Sequence, residues 1–109
     1  MTLFANYVNG EWVSGRETFD NRNPANTDEV VGQFVKGRSS DVAAAADAAQ
    51  RALPEWSNLP APARGAYLFR AAEILESRFD EISADMTREE GKTLPESKGE
   101  VRRSINIFR

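Results

Sequence analysis

The chain has no cysteine and no histidine. Disulfides, a cysteine nucleophile, a histidine general base and a structural zinc site of the usual kind are therefore excluded from these residues. Catalysis carried out here would have to rely on carboxylates, lysine, tyrosine or backbone donors. Long apolar runs are missing as well, with no stretch of about 18 apolar residues to span a bilayer. The start, MTLFANYVNGEW, lacks the basic residues and apolar run of a signal peptide, so a cytoplasmic protein is the default expectation. The seven glycines form neither G-x-G-x-x-G nor a P-loop, and no phosphate cradle is expected. EF-hand, RNP and helix-turn-helix patterns are absent too.

Positive charge is not in excess. A net charge of -3 and a pI near 5.0 give no overall attraction to nucleic acid or to an anionic membrane surface, and neither is expected as a partner. Eleven of the fourteen basic residues are Arg, but only Arg102 and Arg103 are adjacent. Solvated charges on a helix face account for that pair more simply than phosphate binding.

At 109 residues, 40% hydrophobic and 28% charged, the chain has the length and composition of one globular domain. Apart from a short alanine run at 43–46, it holds no repeat or low-complexity segment. Asn9-Gly10, between Tyr7-Val8 and Glu11-Trp12-Val13, reads as a type I′ hairpin whose aromatics suit a half-buried sheet face. Ser14-Gly15-Arg16 supplies a turn. Thr18 to Arg22 can be extended, Asn23-Pro24 breaks it, and a turn through Asp28 leads into the best strand, Glu29 to Val35. The first third is thus expected to be antiparallel β, in two successive hairpins.

Ser39-Ser40-Asp41 reads as a helix start. Val42, Ala45, Ala46, Ala49 and Leu53 recur at helical spacing, with Pro54 expected to end the helix and residues 55–59 to form a connector. Pro60-Ala61-Pro62 opens a second helix, on which Leu68, Ala71, Leu75 and Phe79 form one stripe, widened by Tyr67 and Ile74. Asp80 is expected to cap a continuation carrying Ile82 and Met86. Gly91 is expected to stop it in a left-handed conformation. From Pro95 a last helix has Glu96 in its first turn and Val101, Ile105 and Phe108 on one side. The fold class is α+β: β-hairpins over 1–38, then three or four amphipathic helices over 39–109.

Glu89 and Glu90, just before Gly91-Lys92, could serve as general acid and base or bind a cation. A solvated last helical turn, partly neutralised by Lys92, is the simpler account. Adjacent helix positions point about 100° apart, which does not suit a carboxylate pair flanking one substrate bond.

Asn9-Gly10-Glu11-Trp12, Asn23-Pro24-Ala25, the Ala-rich helix reaching Trp56, the Arg64-led helix, Glu89-x-Gly91-Lys92, and Glu96 with Glu100-Val101 follow one another in a revealing order. In sequence and spacing they resemble the N-terminal portion of the NAD(P)-dependent aldehyde dehydrogenase superfamily, over nearly the whole chain. The run TREEGKTLPESKGE is also similar to a branch acting on semialdehydes of small dicarboxylic acids, such as 2-oxoglutarate or succinate semialdehyde.

That resemblance implies a parent α/β fold with a Rossmann-type cofactor domain, a catalytic domain and a β oligomerisation arm. Residues 1–109 would be the front of the cofactor-binding domain, and the catalytic domain would be absent from this chain. It further implies oxidation of an aldehyde to the acid with NAD or NADP through a cysteine thiohemiacetal. The expected partners are the remainder of the parent polypeptide, a small aldehyde and further subunits of a homo-oligomer. In some members an acid near the position of Glu100 helps to hold a monovalent cation. The family's nucleophile, base, oxyanion donor and cofactor glycines correspond to nothing in 1–109, so no catalytic, cofactor-binding or metal-ligating residue is assigned. The isolated chain is expected to be inactive and marginally stable.

A stand-alone interaction or self-association module is the alternative. Its motive is the stripe Val101, Ile105, Phe108, which would be exposed if unpaired.

Overall fold

The computed structural model describes residues 2–15 and 17–109. The turn expected at 14–16 includes Arg16, which lies outside them.

Strands β1 (Leu3–Phe4), β2 (Asn6–Val8) and β3 (Glu11–Val13) open the chain. Asn9 and Gly10 have φ of 52° and 76°, the doubly positive geometry of a type I′ turn. The turn pairs Tyr7 with Trp12 across β2 and β3. Those aromatics were expected to be half-buried. They are instead 62% and 72% exposed and packed on each other with ring centroids 4.7 Å apart; an open depression lies between Tyr7, Val8 and Asn9 of this hairpin and the alanines at 45, 48, 49 and 52.

β4 (Thr18–Asn23) and β5 (Asn26–Val35) form the second hairpin. Its turn is tighter than the expected passage through Asp28. Asn23 Oδ1 accepts the Ala25 N–H at 2.9 Å, an Asx turn that closes the chain over Pro24 and Ala25 and lets Asn23 pair directly with Asn26. The β region is not wholly antiparallel. β1 runs parallel to β5 at the edge of a three-stranded sheet ordered β1, β5, β4. Gly32 permits this: a Cβ there would stand 2.5 Å from the Phe4 ring, which instead stacks on Phe34 at 4.8 Å.

Helix α1 (Ser39–Asn58) begins where Asp41 Oδ2 accepts the Arg38 N–H at 2.8 Å. Contrary to expectation, Pro54 lies inside the helix and residues 55–58 continue it. The missing N–H of Pro54 forfeits one backbone bond, which does not stop the following turn from forming. The effective stop is Pro60, which disfavours helical geometry at Leu59; Leu59 has ψ of 138°.

α2 (Ala61–Ser77) and α3 (Phe79–Glu90) are separated only by Arg78. Asp80 sits within the first turn of α3, and no side-chain cap bond is made there. α4 (Leu94–Phe108) completes four helices on a short β portion, an α+β arrangement.

Ala72, Val101 and Ile105 form the core, with Leu75, Phe79, Ile82 and Met86 packed around them. Leu75 and Phe79, Ile82 and Met86, and Val101 and Ile105 thus face inward as expected, and the differences lie at the margins of the stripes. α2 presents Ala72, so Tyr67, Leu68 and Ile74 are left exposed, and on α4 Phe108 is at the edge while Val101 and Ile105 are fully covered. The stripe that motivated an interaction module is thus mostly internal. Small Ala72 lets α4 approach α2, and Glu76 ties the pair by accepting from Arg102 at 2.9 Å and Arg109 at 2.5 Å. Arg102 also lies over the Phe79 ring, 4.8 Å from its centroid. Along α1 only Ala48 is buried, while Val42 and Leu53 are exposed; among the described residues no helix packs closely along its alanine face, and it meets α2 only at its end, where the Trp56 and Tyr67 ring centroids lie 5.7 Å apart.

Candidate functional site at the junction of α3 and α4

The segment between α3 and α4 is built from local signals. Gly91 takes φ of 76° at the end of α3, its N–H bonding the Thr87 carbonyl at 2.9 Å, and so satisfies a carbonyl that the helix end would leave unpaired. Two residues later Thr93 begins α4 with a capping box. Its Oγ1 accepts the Glu96 N–H, and Glu96 Oε2 accepts the Thr93 N–H at 3.2 Å. Thr93-x-x-Glu96 is a recognisable sequence signature that the reading from Pro95 passed over.

The Asn-Pro-Ala turn of the β4–β5 hairpin docks on this junction. A side chain on Gly91 would place its Cβ 3.2 Å from Pro24 Cβ and 3.3 Å from the Ala25 nitrogen. Glycine is therefore required twice, for its positive φ and for its lack of volume. Beside this contact Glu29 accepts from Arg88 Nε at 2.6 Å and from Asn23 Nδ2 at 3.1 Å. Those hydrogen bonds, Arg88's first, hold the Glu29 carboxyl below its ordinary pKa. Neither Arg88 nor Glu29 could be picked out by spacing, since nothing local pairs them.

On the other side of Gly91, Lys92 Nζ reaches Glu100 Oε1 at 2.5 Å and Glu90 Oε2 at 3.1 Å. The bond to Glu100, then that to Glu90, raises the pKa of the ammonium. Lys92 is accordingly a fixed charge that ties the start of α4 to the end of α3, and not an amine available as a base. Thr87 Oγ1 donates to the buried Ser97 Oγ at 2.8 Å, which closes the seam between the two helices.

Glu89 and Glu90 do line one surface depression, of about 280 Å³, with Asp85, Ile82 and Met86. The geometry is more convergent than adjacent helix positions suggested, but Glu90 is engaged by Lys92. With three carboxylates this hollow has the wrong sign for a pyrophosphate. Further depressions beside α1 are lined by Tyr7, Val8 and alanines, by Trp56 and Tyr67, or by Asn6, Gly37 and Asp41, and no Gly-x-Gly-x-x-Gly run of a dinucleotide site lines any of these. No group of three or more acidic side chains is placed to hold a metal ion among the described residues.

Residues 12–109 match the aldehyde dehydrogenase family. The chain belongs to that family. It is 50% identical over 105 residues to the alpha-ketoglutarate semialdehyde dehydrogenase of Haloferax volcanii, covering 94% of this chain and 22% of that protein. It is 43% identical to the alpha-ketoglutaric semialdehyde dehydrogenase of Bacillus subtilis, over 97% of this chain and again 22% of the relative. The fold superposes with a TM-score of 0.90 on betaine aldehyde dehydrogenase from Staphylococcus aureus in complex with NAD+, at 31% identity, covering 96% of this chain and 22% of that one. The chain thus spans about a fifth of the length of these relatives, and it matches their N-terminal segment.

The family likeness and the geometry meet at one place. Asn-Pro-Ala and Glu-x-Gly-Lys are far apart in sequence, yet in the fold the first rests on the glycine of the second. In this aldehyde dehydrogenase segment the two motifs form a joint between sheet and helices.

Proposed function

We propose that residues 1–109 are the front part of the cofactor-binding domain of an enzyme that oxidises 2-oxoglutarate semialdehyde to the dicarboxylic acid with NAD or NADP. The observation that carries this reading is 50% identity to an alpha-ketoglutarate semialdehyde dehydrogenase over almost the entire chain. NAD or NADP would supply the hydride acceptor. The residues here would hold that domain's outer helices and hairpins in register and would not touch the reacting atoms. The parent enzyme is read as a cytoplasmic homo-oligomer, and no described helix is long and apolar enough to cross a membrane.

The test is to purify the protein that contains this chain and follow reduced nicotinamide with 2-oxoglutarate semialdehyde, NAD+ and NADP+. Turnover is expected from that protein, with a higher kcat/KM for this substrate than for semialdehydes of shorter diacids. None is expected from the 109-residue chain, which has no cysteine to form the thiohemiacetal. Preference for a monocarboxylic or uncharged aldehyde would overturn the substrate assignment, and turnover by residues 1–109 alone would overturn the division of labour.

A further inference from the structure

We draw no further inference here: the strongest candidate, the apolar surface along α1 and α2 where Val42, Leu53, Tyr67, Leu68 and Phe69 are exposed, carries nothing because nothing in the structure shows what covers it.

Discussion

Arg88 Nε lies 2.6 Å from Glu29 Oε1, joining helix α3 to strand β5 across 59 residues of sequence. Asn23 shares the same carboxylate from the neighbouring strand, so one acid organises both strands of the hairpin against the helix. The pair is partly solvated, with side-chain exposures of 43% and 34%, and a modest contribution to global stability follows. Its main consequence is local.

Replacing Arg88 with Ala is expected to loosen the β4–β5 hairpin while leaving α2 and α4 intact. Hydrogen exchange would show faster exchange for the amides of residues 26–31 with little change in α4; uniform acceleration throughout the chain would contradict a local clamp. The pH dependence has a definite sign. Because the folded-state pKa of Glu29 is lowered, its contribution is fully present above the ordinary carboxylate pKa and is lost as pH falls through the lowered value. Glu29→Gln should flatten that acid limb.

Two glycines are expected to respond oppositely to alanine. Gly91→Ala combines a left-handed φ with crowding against Pro24 and Ala25, and should cost at least about 1–2 kcal/mol. Gly99 lies inside α4 with open space at its Cβ position, so Gly99→Ala should stabilise by roughly 0.5–1 kcal/mol. Urea denaturation of both variants checks the contrast. Equal shifts in the same direction would show that helical propensity alone is being measured.

Burial separates two isoleucines on the same helix. Ile105 is fully buried and Ile107 is 72% exposed. Ile105→Ala is expected to cost about 2–5 kcal/mol, a large part of what a domain of this size possesses. Ile107→Ala should stay within about 0.5 kcal/mol. A comparable loss at both positions in thermal denaturation would mean that α4 is covered on a second side.

Thr93→Ala removes the hydroxyl that accepts the Glu96 N–H. A cost of roughly 0.5–2 kcal/mol is expected, with fraying confined to the first turn of α4. Thr93→Ser should recover most of it. Failure of serine to rescue would assign the effect to packing by the threonine methyl.

Pro54 interrupts the bonding of α1 without ending it. Pro54→Ala restores an N–H donor and should favour the helix by up to about 3 kcal/mol. It should also protect the amides just after position 54 from exchange. Circular dichroism would register the gain in helicity, and an unchanged spectrum with no added protection would place a real break at this residue.

How far the chain could be read in advance depended on the range of the interactions. Asn9-Gly10 and Gly91 were legible because each position needs a backbone conformation that few residues tolerate, and the structure gives all three a positive φ. Family membership was legible for a related reason: short motifs in fixed order survive as strings of residues. Pro54 misled because the rule that proline breaks a helix is a local cost, and neighbouring turns outweighed it. The α4 face was legible in Val101 and Ile105, whereas that of α2 was harder. Periodicity shows that an apolar side exists, but whether Leu68 or Ala72 turns inward depends on how closely α4 approaches, and contact favoured the smaller residue.

The sequence by itself determined the Asn9-Gly10 turn, where α3 stops, which chemistry is excluded by the absence of cysteine and histidine, and the family to which the segment belongs. Only the tertiary structure decided that the Asn-Pro-Ala turn seats on Gly91, that Glu29 is matched with Arg88, and that Lys92 is held between Glu90 and Glu100. The first group follows from steric and covalent properties carried by each residue and its neighbours. The second requires distant segments to be brought within contact distance, which no local pattern encodes.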